Sequence, residues 1–254
     1  MTRAIVLAAG MGSRLLECTA LPKPLCPVAG IPLIVRVLET LASAGIVEAV
    51  VVTGYRGEQV RRALRSAAGL GLSLTCLENP DYHLKNGVSL LAAKAFVDRD
   101  CLLSMSDHLY PPELPRRLLA ADLPVGACAL GIDHDIERCF DLEDATKVRV
   151  ERGLVRAIGK ELDAYDAIDT GVFRIGAGLI REIERRYADA GDCSLSDGVA
   201  GLCCHERFFA TDIGDAPWID VDTPASLEHA EAMLPRFAGS ERPKQRNRVT
   251  WSTR

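Results

Sequence analysis

The sequence predicts an α/β fold, with a mostly parallel central sheet covered by helices on both faces. Three observations predict it. Short apolar runs of strand length alternate with segments of helical periodicity through the first half of the chain. The first run, Ala4-Ile-Val-Leu-Ala8, contains no polar residue, as expected for a strand buried on both faces, and it passes straight into a glycine turn. With 254 residues, 48% apolar and 26% charged, the chain can bury a sizeable core, which excludes wholesale disorder.

The elements follow in order. Pro32 to Ala44 carries apolar residues at helical spacing and stops at Gly45. Glu48 to Thr53 is a second buried strand, Gln59 to Ala68 a helix, Leu72 to Glu78 a third strand, Gly87 to Ala95 a helix and Asp100 to Met105 a fourth strand. The second half changes character. Gly126 to Ile132 is strand-like, and residues 145–158 read as a hairpin turning at Glu151-Arg-Gly153. A strand begins at Asp169, an amphipathic helix spans Gly178 to Tyr187, short strands cover Phe208 to Ile213 and Trp218 to Val221, and a helix covers Pro224 to Leu234. One domain over residues 1–236 and a flexible, basic tail or linker over 237–254 are expected.

Charge and cysteines narrow the function. Thirty Lys and Arg against 35 Asp and Glu give a net charge of -5, which argues against a general nucleic-acid binder but leaves room for a small anion in a local pocket. Nine cysteines cannot all pair, none forms a Cys-x-x-Cys, and Cys203-Cys204-His205 lacks a second ligand cluster, so most read as small buried hydrophobes. The N-terminal apolar run is too short for a secretory signal, and no stretch approaches the roughly 18 apolar residues of a membrane span. A cytoplasmic location with reduced thiols is expected.

Three motifs carry chemistry. The first is Leu7-Ala8-Ala9-Gly10-Met11-Gly12-Ser13-Arg14-Leu15 after the first strand. Its glycines permit a tight turn in which several amide N–H groups converge on an anion, and a helix start behind it adds a positive end. Leu15 stands where a dinucleotide fingerprint needs glycine, and the Gly-Lys-Ser/Thr of a P-loop is absent. What remains is a phosphate loop bearing Arg14, followed by Lys23 held between Pro22 and Pro24. The second motif is Ser106-Asp107-His108 at the end of the fourth strand, where open α/β sheets bind ligands and where an aspartate can hold a metal ion or simply cap a turn. The third is Asp220-Val-Asp222-Thr223-Pro224. Strand alternation puts both aspartates on one face, one as a second metal ligand and the other as a helix N-terminal anchor.

Together with Val51-Val-Thr-Gly-Tyr-Arg-Gly-Glu58, Asn79-Pro-Asp-Tyr82, Asn86-Gly87-Val88-Ser89-Leu90, Ala145-Thr-Lys147-Val148, Ile158-Gly-Lys160 and Asp169-Thr170-Gly171-Val-Phe173, these motifs make the chain, up to about Leu234, resemble the nucleotidyltransferases that activate sugar and polyol phosphates. Within that family it is most similar to the inositol-1-phosphate cytidylyltransferases, with phosphocholine cytidylyltransferases as near relatives. Hexose-phosphate members carry proline after the Arg-Leu, where this chain has Leu16-Glu17.

The resemblance implies a Rossmann-like, single-domain fold with a small β-hairpin acceptor-binding region. It implies transfer of a cytidylyl group from CTP to inositol 1-phosphate, giving CDP-inositol and pyrophosphate. Leu7, Ala8, Ala9, Gly10, Gly12 and Ser13 would cradle the nucleotide, with Arg14 and Lys23 as catalytic cations, and Asp107 and Asp222 would hold Mg²⁺. Lys160 would hold the acceptor phosphate, with Asp169, Thr170 and Gly171 lining its pocket. Asn79, Asn86, Gly87 and Ser89 would read the base, although Asn79-Pro80 and Asn86-Gly87 are equally ordinary turn dipeptides. Lys85 and Lys147 read as rim cations and His108 as a neighbour of the metal site. Phosphocholine, an aminophosphonate or a hexose 1-phosphate remain alternative acceptors. A choline site needs an aromatic cage, for which Tyr82, Tyr110 and Phe140 are available in a chain with 5% aromatic residues. A non-catalytic sensing member of the family is a third reading, weakened by the presence of Arg14, Lys23 and both aspartates. The family also implies coupling to a membrane CDP-alcohol phosphotransferase.

Overall fold

The computed structural model describes residues 3–16, 20–66 and 69–237. The basic tail expected beyond Phe237, the end of the helix expected to reach Ala68, and the positions Glu17 and Cys18 lie outside the described residues. In chain order the elements are β1 (Arg3–Ala8), α1 (Ser13–Leu16), β2 (Pro27–Val28), β3 (Ile31–Pro32), α2 (Leu33–Ser43), β4 (Glu48–Thr53), α3 (Gly57–Ser66), β5 (Ser73–Glu78), α4 (Asn86–Ala92) and β6 (Cys101–Met105). There follow β7 (His108–Leu109), α5 (Glu113–Ala120), β8 (Cys128–Asp133), β9 (Lys147–Glu151), β10 (Leu154–Gly159), β11 (Ala167–Ile175), α6 (Ala177–Ala190), α7 (Leu195–Cys203), β12 (Phe208–Asp212), β13 (Ile219–Asp220) and α8 (Pro224–Phe237). Phe237, expected to begin the tail, closes α8.

Among the described residues nine strands form one sheet in the order β5-β4-β1-β6-β11-β8-β12-β10-β9. The block β5-β4-β1-β6 is parallel, as the alternating first half predicts, and β12 lies parallel to β8. β11 runs antiparallel between β6 and β8, and the β9–β10 hairpin joins the sheet at its far edge. The hairpin is thus part of the main sheet. The run Ala4 to Ala9 is wholly apolar because both its faces are buried: Ala4, Val6 and Ala8 enter a core shared with α2, α3, α5 and α8, whereas Ile5, Leu7 and Ala9 enter one shared with α4, α6 and α7.

Two helices were not legible from periodicity. α5 follows Pro111-Pro112 and contains Pro115, but Pro115 sits in the first turn, where a missing N–H costs no helical hydrogen bond. α7 contains Gly198 and Gly201, which read as breakers. Both allow close packing on α6: a Cβ on Gly198 would lie 2.5 Å from Ile183, and one on Gly201 would strike Glu182. The signal that marks this helix is its capping box, in which Asp197 N–H donates to Ser194 Oγ (3.0 Å) and Ser194 N–H donates to Asp197 Oδ2 (2.8 Å).

The polar anchor of the second half is Asp133 at the end of β8, 1% exposed. Its carboxylate accepts from Arg138 Nε (3.1 Å) and Nη2 (2.8 Å), from Asp135 N (2.9 Å) and from the Trp218 indole (2.7 Å). Removing one partner of such a buried set leaves the others unsatisfied. Asp133→Ala is expected to lower stability by about 3 kcal/mol, read as a shift of the urea midpoint at constant slope.

Candidate active site

The site lies at the carboxyl edge of β1 and β6, where parallel sheets bind ligands. After Ala8 the chain turns through Gly10 and Gly12 into α1, whose described part is one turn. Gly12 is required twice over: its φ of +60° is left-handed, and a Cβ there would collide with the stem of Lys23. Lys23 opens a 3-10 turn, Lys23–Leu25, between two prolines and is 6% exposed. The prolines therefore present this lysine inward, as its flanks predict.

β7 and β13 form a short antiparallel ribbon that pairs Asp220 with His108. Val221 N–H donates to the Asp107 carbonyl (3.0 Å), so the two aspartate motifs are locked side by side. The Lys23 ammonium meets Asp107 at 2.5 Å, touches Asp222 and lies 3.6 Å from Asp220. Asp222 Oδ2 also receives Arg14 Nη2 at 2.5 Å, and the same guanidinium nitrogen reaches Asp144 Oδ2 at 2.7 Å. Asp144 Oδ1 in turn receives Lys160 Nζ at 2.5 Å. Lys23, Arg14 and Lys160, distant in sequence, are thereby joined through carboxylates. Neither Asp220 nor Asp222 anchors α8. Thr223 does so, its hydroxyl accepting from Ser226 N (3.1 Å), while Ser226 Oγ accepts from the N–H groups of Asp222 and Thr223 (2.9 Å each).

Two adjoining cavities share Asn86, Met105, Asp107 and Asp222. One, about 250 Å³, is lined by Leu7, Ala8, Ala9, Gly10, Gly12, Lys23 and Ser89. The other, about 290 Å³, is lined by Asp144, Lys160, Asp169, Gly171, Phe140, Phe173 and Trp218. Several predicted residues stand elsewhere. Ser13 is exposed on α1, outside both cavities. Asn79 is 2% exposed and spends its side chain internally, donating to Ser89 Oγ (3.0 Å) and accepting from Asp81 N (3.0 Å). Gly87 lies behind the wall, where a Cβ would come within 2.6 Å of the Cys193 carbonyl. Thr170 is fully buried and gives its hydroxyl to the Gly131 carbonyl (2.7 Å), so its side chain holds the sheet and lines no pocket. Tyr110, a possible cage residue by composition, is 2% exposed, bonded to Ser104 and off both cavities.

The electrostatics follow from this packing. Burial alone would raise the Asp107 carboxyl, but the Lys23 charge and the His108 hydrogen bond (2.8 Å) hold it well below the usual carboxylate range. Burial would lower His108, yet Asp220 and Asp107 raise it to about 9. Its ring lies parallel to Trp218 at 6.3 Å, and Gly171, with φ of +72°, leaves it room where a Cβ would clash. Asp107, His108 and Asp220 bring one potential ligand atom each within 4.8 Å of one another, and Asp222 adds a carboxylate beside Asp107. Asp220 Oδ1 is buried without a hydrogen-bond partner. This oxygen-rich set suits a hard divalent cation. Sequence reasoning missed Asp144, which directly precedes the Ala145-Thr-Lys147 run that it did single out.

The family model described as the MobA-like NTP transferase domain matches residues 4–163. The chain is 40% identical over 240 residues to the "Bifunctional IPC transferase and DIPP synthase" of Rubrobacter xylanophilus, covering 93% of this chain and 53% of that protein. It is 32% identical over 245 residues to the "CMP-5'-(3-aminopropyl)phosphonate synthase" of Streptomyces rubellomurinus, covering 90% and 38% respectively. The chain thus spans about half or less of the length of these curated relatives. Among solved structures, the inositol-1-phosphate CTP transferase from T. maritima superposes with a TM-score of 0.83 at 27% identity, over 94% of this chain and 97% of that one.

Asp169, half-buried, accepts from Gly171 N (2.7 Å), but desolvation dominates and pushes its carboxyl up to about 6. The folded state therefore holds this proton more tightly than the unfolded chain, whose aspartates titrate near about 4. Its contribution to stability is present below about pH 4 and is lost as pH rises to about 6. Asp169→Asn is expected to remove this decline, seen by comparing melting temperatures of the two proteins from pH 4 to 7.

Proposed function

We propose, on the premise that the chain belongs to the MobA-like NTP transferase domain family, that it transfers a cytidylyl group from CTP to inositol 1-phosphate. The observation that carries this reading is the pair of cavities meeting at Asp107 and Asp222, with the buried Lys23 on both aspartates, Arg14 on Asp222 and Lys160 in the wall of the larger cavity. Printed names among the relatives and the solved structures, including an inositol-1-phosphate CTP transferase, support the choice of donor and acceptor.

The smaller cavity takes CTP. Loop amides around Gly10 and Gly12 and the Arg14 guanidinium receive the triphosphate, and Ser89, oriented by Asn79, faces the same space. The larger cavity takes the acceptor, its phosphate on Lys160 and its ring hydroxyls against Asp169 and the backbone of Gly171. An oxygen of the acceptor phosphate attacks the α-phosphorus, the bond from that phosphorus to the β-phosphate oxygen breaks, and pyrophosphate leaves. The nucleophile is already ionised, so no general base is needed. Rate acceleration comes from placing two polyanions in line and from the Lys23 charge beside the phosphorus. Asp107 and Asp222 would hold Mg²⁺, with Asp220 beside them; a bound ion supplies charge neutralisation across phosphate oxygens.

The free thiols of the described cysteines fit a reducing compartment, and we place the reaction in the cytoplasm. No described helix is long and apolar enough to cross a membrane. The second activity in the relatives' name, DIPP synthase, in proteins of which this chain spans about half, supports a coupled enzyme as the consumer of the product; we take it to be a membrane CDP-alcohol phosphotransferase.

A second reading has its own observation. Phe140, Phe173 and Trp218 face the larger cavity together with Asp141, Asp144 and Asp169, a lining that suits an ammonium group. An aminoalkylphosphonate acceptor fits that lining, and the Streptomyces relative is named for one.

A pyrophosphate-release screen crossing four nucleoside triphosphates with inositol 1-phosphate, phosphocholine, 2-aminoethylphosphonate and hexose 1-phosphates separates the readings. Release with CTP and inositol 1-phosphate is expected; release confined to the amine-bearing acceptors selects the second reading. Lys23→Ala and Asp107→Ala should each lower turnover by at least about 100-fold, and near-normal rates would refute their roles. Lys160→Ala should act mainly on use of the acceptor, raising its KM; a change confined to the CTP KM would contradict that role.

A further inference from the structure

Asp144 divides its carboxylate between two cations from separate elements of the fold. Oδ2 accepts from Arg14 Nη2 at 2.7 Å and Oδ1 from Lys160 Nζ at 2.5 Å. Arg14 belongs to α1, which follows the glycine loop that lines the smaller cavity, and Lys160 directly follows β10 and lines the larger one. The segment that presents Asp144 is braced by three hydrogen bonds, to Asp141 twice and to Asp169. Asp144 N donates to Asp141 Oδ1 (3.3 Å), Ala145 N donates to the Asp141 carbonyl (3.0 Å), and Asp169 N donates to the Thr146 carbonyl (2.9 Å). Lys147 Nζ reaches the carbonyls of Glu143 (3.2 Å) and Lys160 (2.8 Å), which ties the Asp144 segment to the turn that carries Lys160. A side chain held this way is a preformed bridge.

A carboxylate spanning a guanidinium and an ammonium offers the same charge and donor pattern that a phosphate offers. We infer that Asp144 is a positioning residue that couples the two substrates, holding Arg14 and Lys160 as a stand-in anion until the substrate phosphates replace it. The inference rests on the reading that Arg14 receives the nucleotide and Lys160 the acceptor. When the triphosphate takes Arg14, Asp144 loses one of the two bonds that orient it, and its hold on Lys160 weakens. Lys160 is then freer to receive the acceptor phosphate. Linkage requires the converse with equal strength: acceptor binding favours nucleotide binding by the same factor. Arg14, Asp144 and Lys160 side chains are 45%, 33% and 52% exposed, so solvent screens both contacts. Contacts of that kind change an equilibrium constant by about three- to fivefold.

The test is calorimetric titration of the full chain and of Asp144→Asn and Asp144→Ala, in Mg²⁺, with three titrations each. These are CTP alone, inositol 1-phosphate alone, and inositol 1-phosphate in the presence of a non-reactive α,β-methylene analogue of CTP. In the wild type, the analogue should tighten acceptor binding about three- to fivefold. In both variants each ligand alone should bind about three- to fivefold tighter than to the wild type, and the effect of the analogue should fall to near unity. A coupling factor unchanged by both substitutions would overturn the inference. So would weaker binding of either ligand, which would make Asp144 a direct ligand of the substrate or its metal. Failure of the functional reading looks different: the wild type then releases no pyrophosphate from CTP and inositol 1-phosphate. In that case tighter CTP binding by the variants still supports the Arg14 half of the bridge, and unchanged CTP binding overturns it.

Discussion

A lysine ammonium withdrawn from water among three aspartates is the constraint on which the site depends. Lys23 is 6% exposed, and a charge so placed is tolerable only with close partners. Asp107 and Asp222 supply them directly and Asp220 lies nearby, so the end of β6, the loop after β13 and the turn after Pro22 must converge on one point. Other features follow from that convergence. Gly12 lacks a side chain because the lysine stem passes over it, and the β7–β13 ribbon exists to hold two acidic motifs from distant parts of the chain at a fixed offset.

From that centre, charge alternates outward. Lys23 leads to Asp222, Asp222 to Arg14, Arg14 to Asp144 and Asp144 to Lys160. Each of these cations is compensated by a neighbouring carboxylate, so positive charge does not build up in the cleft. Both cavities are lined by Asp107 and Asp222, the two carboxylates on Lys23 at one end of this chain of charges. Behind it stands a further ion pair: Asp133, held by Arg138, fixes the indole of Trp218, and the indole stacks on His108.

The nucleotide half was legible from sequence because its requirements are local. A buried strand, a glycine turn, an arginine and a proline-flanked lysine occupy the span from Ala4 to Pro24, and each has its own stereochemical reason. Asp107 was legible for the same reason, since it directly follows a buried strand. The acceptor half was legible only through resemblance. Asp144 sits in an irregular segment with no periodicity, and its meaning lies in two cations 130 and 16 residues away. Asn79 and Thr170 mislead in the opposite direction. Both sit in motifs that carry function, yet both use their polar atoms to satisfy buried neighbours, which spacing cannot reveal. The helices α5 and α7 were hidden by prolines and glycines whose positions make them harmless.

β11 binds three strands: it pairs with β9 through Ala167 and Ile168, with β6 through Val172 to Ile175, and with β8 on both sides of an irregularity between Asp169 and Phe173. One strand therefore belongs to both halves of the molecule, with the change of partner falling at Asp169 and Gly171. Residues 134–166 are attached to the rest of the molecule through that strand, through β10 on β12, through Phe140 stacked on His229 and through the cation bridge. Under the proposed function, exchange of that segment would keep the Lys23 site and alter the acceptor it meets. The boundary to preserve in a laboratory graft is the same: the register of β11 on β6, and the left-handed glycine that lets the strand change partners.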